Sequence, residues 1–383
     1  MQHALKKTVR RITPAIFALS TYIFLDSTPA EACHKYVSPY TGKTGCGAQR
    51  EDRKNRSFSK TGNKTGKPPS KTTGTASASG GSGSRGGSQA TPASVNGRLP
   101  WPSGMACPYR EDPDEFARWR GSRVDALGGW ASRTSWAAMR RYFGGHLRRD
   151  FVSKAPIMVL GLPLLTNESR GDFAGCTRGK YDAHFRNVAL KLKRYTSTTK
   201  IIRLGWEANG NWYPWSIKGK YSEYKSCFQR ISRVIKSTDP SIKITWSVSG
   251  SKDRKNYNAL FAKAYPGNAY VDYIGMSLYD HWPAAKTQAV WDKSYQPALD
   301  TIMSFARKNG KKVGFGEWGL SRLKGGGGGD NPLFIRNMYK FFKENASMIA
   351  YELYYNCGAP DSSWRIYPSR ANPKGSAEYR RLW

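Results

Sequence analysis

Two glutamates in this 383-residue chain stand where chemistry could be done. Glu207 lies in "RLGWEANGNWYPW" (residues 203–215), a single acid among Trp206, Trp212, Tyr213 and Trp215, with Asn209 and Asn211 beside it. Glu317 lies in "VGFGEWG", next to Trp318 and 110 residues further on. Two carboxyl groups facing across a cleft are what cleavage of a glycosidic bond requires. One protonates the leaving oxygen, and the other attacks the anomeric carbon or activates water. Aromatic rings suit the same substrate, because sugars expose C–H faces that stack on them while side-chain amides bind the hydroxyls. The plainer alternative is an ion pair from Glu207 to Arg203 with the rings as core. An acid at a strand end among Asn and Trp favours a functional site.

The elements that must position these acids follow from the hydrophobic pattern. Downstream of Leu99, the runs "RVDALGGWA", "APIMVLGLPLL", "KIIRLGWE", "IKITWSVSG", "VDYIGMSLYD", "KKVGFGEWG" and "MIAYELYYN" read as buried strands. Amphipathic stretches such as "YDAHFRNVALKLKRY" and "YSEYKSCFQRISRVIKS" alternate with them, which predicts parallel βαβ units. "DNPLFIRNMYKFFKEN" adds a helix start, with a cap at Asp330 or Asn331 and Pro332 at the first helical position. Residues 99–383 have the length of a single (β/α)₈ TIM barrel. The alternative, an open doubly wound sheet, lacks a GxGxxG after an early strand. With about 31–37 residues per βα unit, the spacing puts Glu207 and Glu317 on opposite sides of the barrel mouth, as strands four and seven are. Strand ends at that mouth make Arg203, Trp206, Asn211, Trp212, Trp215, Tyr279, Trp318 and Tyr355 the candidate substrate contacts, with Trp282 and Trp364 as outer ones. Asp280 is expected to face the cleft and Asp272 to cap the other end of its strand. Gly325–Gly329 is expected to form a small mobile loop beside Glu317.

In order and spacing, residues from about 99 to 370 resemble glycoside hydrolase family 26, endo-β-mannanases and related β-glucanases among the clan A barrels. "RLGWEANGNWYPW" is similar to that family's acid/base segment, and "VDYIGMSLYD" and "FGEWG" to its sixth and seventh strands. The resemblance implies a retaining mechanism with Glu207 as general acid/base and Glu317 as nucleophile, and needs no cofactor or metal. It also implies that Tyr279 bonds the nucleophile and that Trp212 shapes the subsite at the scissile bond. Two positions depart from the family's mannanases. Trp206 stands where they carry a histidine before the acid/base, and "VLGLPLLTN" lacks a second histidine expected near the end of strand two. The substrate is therefore left open between mannan or glucomannan, β-glucan and a bacterial exopolysaccharide. A non-catalytic carbohydrate-binding barrel and an exopolysaccharide-processing factor are the alternative functions.

Composition bounds the setting. Residues 1–32 read as a secretory leader: Lys6, Lys7, Arg10 and Arg11, a short apolar stretch, then "AEA". Six cysteines, all beyond it, predict disulfides, with Cys176 and Cys227 the first pair to expect and Cys357 lacking an obvious partner. Residues 33–98 combine a two-cysteine segment with a Gly/Ser/Lys-rich stretch that cannot bury a core and is expected to be a disordered linker. Net charge is +35, of which about +24 falls after residue 96. A field of that sign attracts polyanions. For an exported monomer, the expected partners are a polysaccharide substrate and an acidic exopolysaccharide or envelope surface, not nucleic acid.

Overall fold

The computed structural model describes residues 34–37, 44–47, 99–108, 112–147, 154–250, 256–358 and 364–383. The expected leader, and the expected linker from 48 to 96, lie outside these. Near the N-terminus β1 (His34–Val37) pairs antiparallel with β2 (Thr44–Gly47) in a unit of its own.

The second unit is a closed parallel barrel of eight strands. They are β3 (Ser103–Ala106), β4 (Ala126–Trp130), β5 (Ile157–Leu162), β6 (Thr199–Leu204), β7 (Lys243–Ser249), β8 (Tyr273–Tyr279), β9 (Lys312–Gly319) and β10 (Ile349–Tyr355). They follow one another around the barrel, and β10 pairs back onto β3. Helices cover the outside, making a (β/α)₈ TIM barrel. The sequence reading passes over β3, because "SGMA" is too short and too poor in β-branched residues to register as a strand. With β3 counted, "VLGLPLL" belongs to the third barrel strand, not the second, while Glu207 follows the fourth and Glu317 lies in the seventh.

Strand faces alternate, so each run feeds two cores. Ile157, Val159, Ile201, Tyr351 and Leu353 pack inside the barrel. Met158, Leu160, Ile202, Leu204 and Trp246 pack outward under the helices. Two helices show how that outer layer is specified. In α1 (Tyr221–Thr238), Tyr224, Cys227, Phe228, Ile231 and Ile235 recur at helical spacing and are buried. In α2 (Pro332–Glu344), the Asn331 Oδ1 accepts the N–H groups of Leu333 and Phe334 and so caps the helix. Asp330, the other candidate cap, instead accepts the N–H groups of Lys374 and Gly375 at the start of α3 (Pro373–Leu382).

Two disulfides bind the second unit. Cys176–Cys227 ties α1 to the segment before β6, as the sequence predicts. Cys357 pairs with Cys107, so the missing partner is the residue just past β3. This bond staples the first strand to the last across the seam where the barrel closes, a separation of 250 residues.

The chain's last residue is also fixed. Glu352 of β10 points outward, is fully buried, and accepts indole N–H groups from Trp318 (2.6 Å), Trp383 (2.9 Å) and Trp101 (3.4 Å). One carboxylate thus joins β9, α3 and the segment leading into β3. Glu352→Ala should cost about 3 kcal/mol or more, because each buried donor left unpaired costs about 1–3 kcal/mol. Glu352→Gln, which keeps one acceptor oxygen, should cost markedly less. Urea denaturation of the two variants checks this; equal losses would mean that side-chain volume, not the acceptor, matters.

Candidate active site

The mouth of the barrel is assembled from strand ends. Arg203, the next-to-last residue of β6, is buried and turned into the lumen. Its Nη1 donates to Glu317 Oε1 (2.7 Å) and to the Gly316 carbonyl (3.3 Å), and its Nη2 donates to Ser277 Oγ (2.9 Å). Glu317 receives two further donors: Trp130 Nε1 on Oε1 (3.1 Å) and the Tyr279 hydroxyl on Oε2 (2.8 Å). Both of its oxygens are met by donors, which come from three strands, β4, β6 and β8.

A bulge aims Glu317. Across β8 and β9, Gly275 faces Gly314 but Ser277 faces Glu317, so β9 carries one extra residue there. The same excess appears against β10, where Glu352 faces Phe315 and Tyr354 faces Trp318. Gly316 and Glu317 consequently both meet Arg203, where strict alternation would send one of them outward. Trp318 then points to the helices: it is fully buried, bonded to Glu352 and stacked on Trp383. The expectation that Trp318 touches substrate is therefore corrected, since its neighbour's orientation to the mouth excludes its own.

Glu207 sits past the end of β6 with φ +53°, a left-handed conformation uncommon for a residue with a side chain. Its N–H donates to the Ser247 carbonyl, and its carbonyl accepts the Gly210 N–H. Asn209 reinforces the turn by exchanging two hydrogen bonds with the Ser249 backbone at the end of β7. The Glu207 carboxyl is almost fully buried and accepts the Trp212 indole N–H at 3.2 Å. Burial, and next the charge of Glu317, push it up from an ordinary 4.5 to about 8, against opposing pulls from Arg203, Ser277 and Trp212. Ser277 thus touches the environment of both acids.

The aromatic cluster around Glu207 divides. Trp215 is fully buried, stacked on Tyr213 (4.4 Å between centroids), with its indole N–H on the Trp206 carbonyl. Trp206 is 4 % exposed and donates to the Tyr213 hydroxyl. These two rings hold the loop and do not present a sugar platform, which corrects the expectation for Trp215 and for most of the Trp206 ring. Arg203 is corrected likewise: its buried guanidinium positions Glu317. Trp212 does reach the acid, while Asn211 is exposed at the loop tip. Tyr355 lies against both Trp130 and Tyr279, and Trp364 packs edge-on to Tyr279, so these four rings form one wall beside Glu317. Asp280 turns away from the cleft, accepting Ala285 N–H and the Asn331 amide. Asp272 lies at the other end of its strand, as expected, but the N–H it accepts is that of Ile244 in the neighbouring β7, not one of its own strand.

Sequence reasoning missed Trp130 and Ser277. Both ride on strands that it identified, Ser277 two residues before Tyr279 and hence on the same face, but only the register shows which strand ends meet. The Gly325–Gly329 run also departs from expectation. Gly327 bridges His281, Gly326 accepts the Trp282 N–H, and Gly328 donates to the Asp280 carbonyl. A side chain at Gly326 would strike the Trp282 indole at 1.9 Å, so the run is a tied strap that lets an indole lie flat on it. Trp282 is 38 % exposed there.

Gly316 gives a direct test of the Arg203 support. A Cβ at that position would stand 2.2 Å from Arg203 Nε and 2.5 Å from its Cζ. Gly316→Ala should displace the guanidinium from Glu317 and lower kcat by about 10²-fold, as expected for misplacing a catalytic group by about 1 Å. Circular dichroism should show the barrel retained. Unchanged turnover would show that Glu317 does not depend on Arg203.

Comparison with known proteins bears on the same residues. The sequence model described as Glycosyl hydrolase family 26 matches residues 180–307, a stretch that includes Glu207 and ends ten residues before Glu317. The chain is 24 % identical over 218 residues to a mannan endo-1,4-beta-mannosidase of Bifidobacterium adolescentis, covering 55 % of this chain and 22 % of that protein. It is 23 % identical over 209 residues to Endoglucanase H of Acetivibrio thermocellus, covering 53 % and 22 %. The chain thus spans about a fifth of the length of these relatives. Its fold is similar to the catalytic domain of an endo-beta-1,4-mannanase of Bacillus sp. JAMB-750 (TM-score 0.55, 17 % identity, 76 % of this chain and 87 % of that one). A Cellulomonas fimi endo-beta-1,4-mannanase matches at the same TM-score, with 15 % identity over 76 % and 71 %. Residues 180–307 of this chain, which carry the Glu207 loop of the barrel, are thus similar to glycosyl hydrolase family 26.

Proposed function

We propose that this chain is a retaining endo-β-glycanase, exported from the cell, that hydrolyses a β-linked polysaccharide. The observation that carries the reading is the unequal treatment of two carboxyl groups within one network. Glu317 meets donors on both oxygens, including a guanidinium, while Glu207 is buried with only the neutral Trp212 indole and Ser277 side chain to bond it and is pushed up to about 8. At neutral pH the arrangement suits a carboxylate nucleophile and a protonated acid. In the first step a Glu317 oxygen bonds to the anomeric carbon, the glycosidic C–O bond breaks, and Glu207 gives its proton to the departing oxygen. In the second, Glu207 takes a proton from water, whose oxygen displaces Glu317 from the same carbon. The coupling supports that change of role. Glu317 carries no charge once it is esterified, so the second cause of the raised Glu207 value vanishes and Glu207 becomes the readier base.

Mannan or glucomannan, β-glucan and a bacterial exopolysaccharide all fit the family, and the two named relatives themselves differ, one a mannosidase and one an endoglucanase. Export is supported by the leader-like first 32 residues and by the two disulfides. The exposed Trp282, laid flat on the glycine strap, supports an outer sugar contact.

Reducing-end release across a panel of β-glycans, with the anomer of the first product read by NMR, tests the reading. Retention of configuration is expected. Glu207→Gln and Glu317→Gln should each lower kcat by several orders of magnitude, and only the former should be partly rescued by substrates with activated leaving groups. Full activity of either variant on the wild-type substrate would reject the pair.

The raised Glu207 value gives two expectations of opposite use. Turnover needs its proton, so kcat/KM should fall as pH rises through about 8. Stability follows the same proton: the fold holds it between about 4.5 and 8, where the unfolded chain does not, so this residue's contribution is full below 4.5 and is lost as pH rises to 8. Glu207→Gln should therefore gain stability over wild type progressively from about pH 5 to pH 8, measured by denaturant titration. A constant difference across that range would refute the assignment.

A further inference from the structure

A second concavity opens beside the acid/base loop. Its volume is about 470 Å³, and Asn167, Arg170, Tyr213, Ser216, Lys218 and Lys220 line it. Gly171 and Pro214 complete the wall. Three of these side chains are cations and none is an acid. Among the described residues neither Arg170, Lys218 nor Lys220 makes an ion pair with a carboxylate, so their charge is not already spent. A fourth cation, Arg133, lies over the Tyr213 ring at 5.3 Å.

Position and rigidity argue for a built cavity. Tyr213 forms its wall and is joined to the catalytic loop by the Trp206 indole N–H on its hydroxyl (3.0 Å) and by stacking on Trp215. Ser216 is tied back by its hydroxyl to the Gly210 carbonyl (2.6 Å). On the opposite side, the turn at Asn167–Ser169 is held by reciprocal Thr166–Ser169 bonds and presents Arg170 in a left-handed conformation, φ +49°. Lys220 is also the residue from which α1 starts, with no side chain capping that helix end. Its free amides add partial positive charge, although the first turn carries the exposed Glu223 outside the cavity.

We infer that this cavity is a subsite for an anionic sugar unit of the polysaccharide, next to the bond being cleaved. The inference rests on the glycan-cleaving reading for its placement. Its size suits a sugar residue or two, Asn167 and Ser216 offer polar partners for hydroxyls, and the cations take the charged substituent. A neutral mannan or glucan would give three uncompensated cations nothing to do there. The substituent's chemistry is a negative charge on the sugar, either a carboxylate or a sulfate ester.

The test compares chains that differ only in charge. A short β-1,4-oligomannuronate, the neutral β-1,4-oligomannoside made by reducing its carboxyl groups, and the sulfated form of that oligomannoside are titrated calorimetrically. The full chain carries Glu317→Gln so that nothing is cleaved. Preference for an acidic over the neutral chain should be about tenfold at low salt. The triple substitution Arg170→Gln/Lys218→Gln/Lys220→Gln should abolish it. Lys293→Gln/Lys308→Gln/Lys343→Gln, which removes the same charge from exposed positions elsewhere, should leave it intact. A preference shown only by the sulfated chain, and lost with the pocket triple, supports the site and names the ester. No preference in the parent, or equal loss in both triples, overturns it. Failure here is separable from failure of the glycanase reading: cleavage of neutral chains with no acidic preference removes only the pocket. Pocket-dependent binding without cleavage of any glycan by the unsubstituted chain removes only the enzyme.

Discussion

The mouth of the barrel is organised around one buried ion pair, Arg203 with Glu317. A guanidinium with about 1 % exposure and a carboxylate beside it are both costly to desolvate, and the pair is tolerable only because further donors and acceptors surround it. Ser277 and the Gly316 carbonyl take the other Arg203 donors, while Trp130 and Tyr279 complete Glu317. Only Nε of the guanidinium lacks a partner. These groups come from four strands, β4, β6, β8 and β9, so strand order, register and the bulge in β9 must all be right for the pair to exist. Removing one member of such a pair leaves an uncompensated charge costing about 3–5 kcal/mol.

From that pair follows the asymmetry between the two acids. Arg203 is spent on Glu317, and Glu207 is left with burial, two neutral partners in Trp212 and Ser277, and a like charge nearby. Its main-chain conformation, left-handed with φ +53°, is held by the Ser247 carbonyl and by the Asn209 clamp on Ser249. A strained backbone and a carboxyl unwelcome in its ionised form both work against stability, and the packed Trp206–Tyr213–Trp215 rings offset them. The site is stable because its surroundings are over-determined.

Tryptophan serves two purposes here, and geometry assigns them. Trp101, Trp318 and Trp383 converge on Glu352 behind β10, closing the outer layer. Trp130 and Trp212 place the same indole N–H on the catalytic candidates Glu317 and Glu207. An N–H on a broad apolar ring can satisfy a carboxylate without adding a charge, which suits a structural acid and a chemical one equally. Trp282, exposed on its glycine strap, is the one left facing solvent.

Much of this was readable from residue order alone. Alternating strand and helix patterns define a barrel, and a three-unit spacing places Glu207 and Glu317 on its fourth and seventh strands, because both depend on local periodicity and chain length. Tyr279 at its strand end and the Cys176–Cys227 pair were legible for the same reason. Tertiary structure alone decided which neighbours face inward. The β9 bulge turns Glu317 to the lumen and sends Trp318 to the helices, although nothing in "GFGEWG" marks the extra residue. Barrel closure brings Cys107 to Cys357, and β3 itself was too short to see. Arg203, Trp130 and Ser277 lie far apart in the chain. Their meeting at one carboxylate depends on register between strands, a long-range pairing that no local pattern encodes.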